Sequence, residues 1–553
     1  MALLYRFTKL NDRSNTGVFT FIVTRTVTRD VHRDATTKDF AYGYHRWALS
    51  FTRSNDKVLG VYLILRNPSP NTKCLADYTL TLLNREHFSK NESFAQKQAL
   101  FTVEQPAQGV SKWMLLSEIV SRKFGDETAE FLLELSLGNI MTVYETDIQI
   151  TGGVQTKAAK LETPYFTFGS FDWNISIINQ LYSTTGANND LDQQQQHHQH
   201  IQQYIAIVYL SRLTGFEHPC RVQYRCILGD GKYKEDSGIL DQISDVGGRI
   251  RGFQLRGHSF QDLSKPHGFV RIYLELFCCN AISEAKVPVI RNPSPTINCY
   301  DRNKQGWCIE TDMEGEHMRL KLFFMDLHSV PRNHLRYISW IAYVVTRDPL
   351  NGVRESIVVT NPPHSNYYIQ DGIDMGTIME TDIISQQIRD SPKVYLEMEG
   401  QLTVHIEWCD SMMLFNHIYH KYDDLSRIHC QQMRREITAL TSENYSLERQ
   451  LLSYQKSISY ASTSSSVASP SQRGTTTSLL GQRAKSDDFL HDSVQYVSNH
   501  HKSSSQQQQQ HHHHYHHQSA AAIQPTPSLP HHRQYESDRH SLHSMTSDAH
   551  SNY

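Results

Sequence analysis

No run in this 553-residue chain approaches the ~20 apolar residues that a helix needs to span a bilayer. The opening residues, MALLYRFTKLND, lack the apolar core of a secretory leader, so the expectation is a soluble, cytoplasmic protein without a transmembrane segment. Charge of neither sign is in excess, since 54 Lys and Arg stand against 57 Asp and Glu. That balance removes any global electrostatic argument for nucleic acid or an anionic membrane. Cysteine is scarce and unpatterned. The nine are odd in number and without repeated metal-ligand spacing, and the one adjacent pair, Cys278 and Cys279, would point to opposite faces of a strand. Buried reduced thiols in a reducing compartment are favoured over disulfides.

Signatures of chemistry are missing as well. There is no H-E-x-x-H, no G-x-S-x-G and no phosphate-binding G-x-x-x-x-G-K-[ST]. GDGK at 229–232 lacks the phosphate-loop spacing and reads as a hairpin turn. The ETD strings carry too few acids for a calcium loop. The expectation is a protein that is not an enzyme, with no catalytic residue, no cofactor and no metal site. A site assembled from distant residues would leave no spacing to read.

What is present is period-two alternation. Between Phe40 and Glu86 three strand-like runs follow one another: Trp47, Leu49 and Phe51; the branched apolar run Val58 to Leu65; then Cys74, Ala76, Tyr78, Leu80 and Leu82. Residues two apart share one face of a pleated strand, as in antiparallel sheets buried on one side. Phe131, Leu133, Leu135 and Leu137 repeat the pattern, VFTFIVTRTVT (18–28) opens the unit, and VYETDIQI (143–150) closes it. Related runs recur at Phe171–Ile177 and Val270–Leu276, and again at Met318–Phe324 and Leu402–Trp408. The fold class expected is mainly β: tandem antiparallel β-sandwiches followed by a C-terminal α-helix or coiled coil and a disordered tail. The units are drawn at 1–155, at 160–290 with a disordered insertion at 183–203, and at 297–410. The helix follows at 411–457, and a Ser-, Gln- and His-rich tail at 458–553. RNPSP, VTRD and ETDI each occur twice, but the repeated strand order is the stronger sign of internal repetition.

An entry strand FTFIVTR, a Tyr-Gly approach to an inward Trp in GYHRWALSF, and the apolar strand VYLIL follow in this order. YTLTLLN, then G-x-SKW-x-x-L-S-E from Gly109 to Glu118, and a final LELSL complete the series. Together they resemble the meprin-and-TRAF-homology (MATH) domain. The likeness is best over 17–150, holds in outline over 165–285, and is one of pattern only over 300–410. It implies an eight-stranded sandwich that binds short extended peptides across a sheet face. No peptide-contacting residue is carried over. The RING and zinc fingers that accompany the domain in ubiquitin ligases are missing from this sequence, which weakens any inference of ligase activity.

After Asp410 the period changes. Asp410 or Ser411 is expected to cap a helix, with Leu414, Ile418, Tyr422, Leu425 and Ile428 or His429 docked on the third unit. A heptad register follows: Cys430, Ile437, Asn444 and Leu451 at one core position, Met433, Leu440, Leu447 and Tyr454 at the other. Ile437, Leu440, Asn444, Leu447 and Leu451 are the candidate oligomerisation residues, and a polar Asn in the seam is a device for fixing register. In a parallel homodimer Glu443 would face Glu448 of the neighbour, so an antiparallel or heterotypic pairing is also open. In the tail, Ser486 lies between basic and acidic residues of RAKSDD and is a candidate phosphorylation site. The functional expectation is an adaptor or scaffold that binds proteins or extended peptides. The alternative is a peripheral lipid-binding sandwich, which would need its dispersed basic residues gathered at one end.

Overall fold

The computed structural model describes residues 2–464 except 11, 30–34, 150–159, 183–202, 216, 245–251, 256–262, 264–267, 290–295, 349, 361, 398–399 and 416–422. Residues 183–202 of the expected insertion, the RNPSP copy at 291–295, Ser486 and the tail beyond 464 lie outside the described residues, while Gln203 begins a strand. Among those described, the protein is mainly β, with antiparallel pairing throughout and a C-terminal helix. No described helix is long and apolar enough to cross a membrane.

Residues 1–451 form one compact unit organised by three long strands: Phe131–Gln149, Phe269–Pro288 and Gln401–Phe415. The first pairs over its opening residues with Gly17–Val23 on one side and Thr72–Leu82 on the other. Its far half, from Thr142, pairs with Phe269–Leu276. The second long strand then pairs, from Ala281 to Pro288, with Gln401–Trp408 of the third. These strands belong to one 12-stranded sheet, and three smaller sheets of five, five and four strands accompany it.

Each long strand leaves one hydrophobic core and enters the next. Leu133, Leu135 and Leu137 lie in the first core, while Tyr144 and Ile148 of the same strand lie in the second. Ile272 and Leu274 lie in the second, while Ala285 and Val287 lie in the third. Leu402, Val404 and Ile406 lie in the third, but Met412 and Leu414 join the first, together with Tyr337. The succession of cores therefore closes on itself. Each crossing carries a register shift, at Gly138/Met141, beside Phe277 and near Ile338/Trp340, and a bulge of this kind bends a strand and re-aims its side chains.

Similar hydrogen bonds recur around the three cores, whereas the short strings do not occupy matching places. The Trp47 indole donates to the Tyr42 carbonyl at 2.9 Å, and that of Trp173 to the Phe168 carbonyl at 3.0 Å. Thr37 and Leu49 bond reciprocally, as do Thr163 and Ile175, and Asn298 bridges to Ile309 in the third. The Tyr78 hydroxyl meets Gln96, and that of Tyr224 meets Gln242. By contrast, ETDI at 145–148 lies in the first long strand and its copy at 380–383 in a strand of a small sheet. Val27 to Arg29 of the first VTRD string follow the strand Gly17–Val23 in a short helix, Arg25–Arg29, rather than continuing it to Thr28.

Three boundaries differ from expectation. VYETDIQ (143–149) does not close the first unit; it is the far half of one 19-residue strand. The C-terminal helix does not start at Asp410 or Ser411. Residues through Phe415 are strand, with Ser411 opposite Ile338 and Leu414 opposite Leu335, because His334–Ile338 supplies a ladder that outweighs the helical spacing of Leu414. The helix begins at Asp423, where Asp423 and Asp424 place negative charge in its first turn, and it runs to Ser464, past the expected end at 457. Ile418 and Tyr422 lie outside the described residues.

Candidate functional site

Three surfaces offer chemistry. The first is a set of open strand edges. Among the described residues, Glu92–Phe101 pairs only with Thr72–Leu82, Glu235–Ser244 only with Cys220–Leu228, and Arg354–Val358 only with His334–Arg347. Every residue of Arg354–Val358 is exposed. An edge strand leaves N–H and C=O groups available to an added chain.

The second is the helix. Its first two turns dock on the opening repeat. Asp423 accepts from the Tyr5 hydroxyl at 2.7 Å and from Arg6 at 3.0 Å; His429 donates to the Asn84 carbonyl at 2.7 Å; Leu425 packs with Tyr5, Ile22 and Leu132. Docking on the third unit is expected for Leu425 and for Ile428 or His429; Leu425 and His429 do dock, but on residues of the first unit. Beyond Gln432, which still bonds Glu86, the side chains face solvent. Ile437, Leu440, Leu447 and Leu451 are between 53 and 63% exposed, and Asn444 is exposed beside them.

The third is the junction between repeats, which the sequence reading did not anticipate. Glu407, almost fully buried, accepts from Arg221 at 3.1 Å, the Tyr343 hydroxyl at 2.7 Å and the Asn280 amide at 2.6 Å. Arg221 also grips Asp241 at 2.6 Å. Two adjoining clefts open here, of about 280 and 240 Å³, sharing Tyr44, His45, Arg46 and Ser170. His45 lies 2.6 Å from the Thr142 hydroxyl, and burial of the ring pushes its pKa down to about 4, so it is neutral at pH 7. The lining thiol of Cys278 is pushed up to about 12 by burial, and that of Cys409 is raised in the same way, so neither is poised as a nucleophile.

All nine cysteines are free thiols; the closest noted approach is Cys220 to Cys279, with Sγ atoms 3.6 Å apart. As expected from alternation, Cys279 is buried and its neighbour Cys278 is not fully so. GDGK forms the connection of the hairpin Cys220–Leu228/Glu235–Ser244, with Gly229 and Gly231 at positive φ. Among the described residues no group of three His, Cys, Asp or Glu side chains is placed to hold a metal ion. No protein-family model matches the chain, and no curated protein matches its sequence.

Proposed function

We propose that this chain is a non-enzymatic, cytoplasmic adaptor made of three TRAF-like (MATH-like) β-sandwich repeats, which binds extended partner peptides and self-associates through its C-terminal helix as a coiled coil. The observation that carries the reading is the exposed heptad stripe. A helix that leaves Ile437, Leu440, Leu447 and Leu451 in water, while its own first turns are docked by other residues, has an apolar seam to cover. The open edges Glu92–Phe101, Glu235–Ser244 and Arg354–Val358 support the peptide-binding half, since strand addition takes affinity from main-chain bonds and selectivity from alternate side chains. Two bodies joined by one seam would bind a two-motif partner with raised effective concentration. The free thiols are in keeping with a reducing compartment.

The test replaces Leu440 and Leu447 by Arg in the full chain and measures mass by light scattering. The wild type is expected to be oligomeric and L440R/L447R monomeric, with unchanged near-ultraviolet circular dichroism from the β body. A wild type that is monomeric at tens of micromolar, a range in which short coiled coils associate, would remove the self-association half of the proposal.

A further inference from the structure

Arg46 and Arg66 are direct cross-strand partners on His45–Arg53 and Val58–Arg66. Their neighbours Trp47 and Leu65 are buried in the first core, so alternation turns the two arginines to the opposite face. Directly opposed residues have Cβ atoms roughly 5 Å apart, and like charges so placed repel. Lys73, at the start of the next strand, adds a third cation. All three line the 240 Å³ cleft, whose far wall is the turn Thr167–Ser170 of the second repeat. Ser69 and Ser170 contribute hydroxyls, those of Thr142 and Thr167 being engaged with His45 and Asp172, and no carboxylate lines the cleft.

Compensation of this charge is partial. Asp39 lies 3.1 Å from Arg66 and Glu145 lies 2.6 Å from Lys73, but both carboxylates are themselves substantially exposed, where such pairs are weak. Arg46 has no ion-pair partner among the described residues, although the adjoining 280 Å³ cleft that it also lines includes Asp241, Glu407 and Asp410. His45 is neutral, so it adds no repulsion to an incoming anion and none of the attraction.

We propose that this cleft is a binding site for a phosphomonoester dianion, with Arg46 as its principal ligand and Arg66 and Lys73 on its flanks. A tetrahedral group with three terminal oxygens accepts from donors arriving off three strands. A planar carboxylate is satisfied by one guanidinium fork and leaves the second arginine opposed. The site goes beyond the adaptor reading and does not depend on the helix. Its volume admits a phosphate carrying a short organic group, which fits a free phosphate ester or a phosphorylated side chain of a bound peptide.

The test is titration calorimetry of the full chain with inorganic phosphate, O-phosphoserine, and a phosphoserine hexapeptide beside its unphosphorylated twin, at constant ionic strength. Saturable binding of O-phosphoserine is expected, weakened about tenfold or more in Arg46→Ala and several-fold in Lys73→Ala, and unchanged in Arg435→Ala on the distant helix surface. Folding does not confound the variant, because removing one of two opposed arginines relieves repulsion. Arg46→Ala is expected to melt no lower than the wild type in phosphate-free buffer, and the wild type alone is expected to gain thermal stability on adding phosphate. A peptide bound at least tenfold more tightly than O-phosphoserine assigns the phosphate to a protein partner, and equal affinity assigns it to a free ester. Absence of saturable binding up to about 10 mM, or equal binding by wild type and Arg46→Ala, overturns the site. L440R/L447R, which removes the helix seam, is expected to leave the affinity for O-phosphoserine unchanged.

Discussion

Asp301 and Arg336 are both almost fully buried and stand 2.6 Å apart in the third repeat. In the first two repeats the equivalent Trp indole donates to a main-chain carbonyl, but Trp307 donates to the Asp301 carboxylate at 3.0 Å. The other carboxylate oxygen accepts from the main-chain N–H groups of Asn303 and Gln305, and the Arg336 guanidinium lies over the Phe324 ring at 4.8 Å. Four residues before Tyr78 and Tyr224 stand Cys74 and Cys220; four before Trp340 stands Arg336. Where the first two cores hold a small buried thiol at this place, the third holds a cation, which needs the acid beside it. Removing one partner strands a buried charge, which costs far more than the pair contributes. Asp301→Ala is expected to lower stability by about 3–5 kcal/mol in denaturant unfolding, whereas Asp301→Asn with Arg336→Met, which removes both charges and keeps an oxygen for the main-chain N–H groups of Asn303 and Gln305, costs less. A single variant that unfolds within about 1 kcal/mol of the wild type would show that water reaches the arginine.

At the scale of elements, the turns before Trp47 and Trp173 are set by backbone handedness. Gly43 and Tyr44 both have positive φ, as do Gly169 and Ser170, the pattern of a type I′ hairpin turn. These turns are also contact points with a long strand at its crossing. A Cβ on Gly43 would stand 2.4 Å from Ile140 Cδ1, and one on Gly169 would stand 2.4 Å from Cys279 Sγ and 2.6 Å from its Cβ. Gly169→Ala therefore combines left-handed strain with a collision in the second core, and a loss of at least about 2 kcal/mol is expected. Gly231 is the control: its φ is +59°, yet nothing lies within 4 Å of its would-be Cβ. Gly231→Ala is expected to cost only about 1 kcal/mol. Thermal unfolding of the two variants side by side measures the contact separately from the strain.

Which elements were legible in the sequence follows from whether their signal is local. The runs around Trp47, Tyr78, Leu133 and Ile272 alternate, and alternation is a property of the strand itself, so their sheet character could be read directly. The stripe through Ile437, Leu440, Leu447 and Leu451 is periodic and was equally readable. Ala2–Lys9 carries no clean alternation and Met412–Phe415 falls within helical spacing, because each is strand only by virtue of the partner it pairs with. The cleft cations were out of reach for a related reason. Arg46 and Arg66 are ordinary outward residues until the register places them opposite one another, and register is not written in either strand alone.

At the scale of the whole β body, residues 1–451 are tied together by sharing rather than by docking. A module boundary at 410, natural from the sequence, cuts the third long strand five residues before its end. Those five residues carry Met412 and Leu414, which are buried in the first core beside Tyr337, and Ser411–Phe415 pairs with His334–Ile338. Truncation at 410 therefore opens the core of the first repeat from the far end of the chain. Loss of a buried Met or Leu costs about 2–5 kcal/mol, and here two go together with a strand end. Fragment 1–410 is expected to unfold at markedly lower denaturant concentration than 1–416, although the segment removed is remote in sequence from the repeat it stabilises. The decisive measurement is hydrogen exchange on both fragments. Protection should fall in Ala2–Lys9 and His334–Ile338, which flank the lost strand end, while the second core around Ile272 and Tyr224 keeps its protection. Uniform loss across all three cores would mean instead that the body unfolds as a single cooperative unit, and unchanged protection would mean that the shared strand contributes nothing to the closure of the cores.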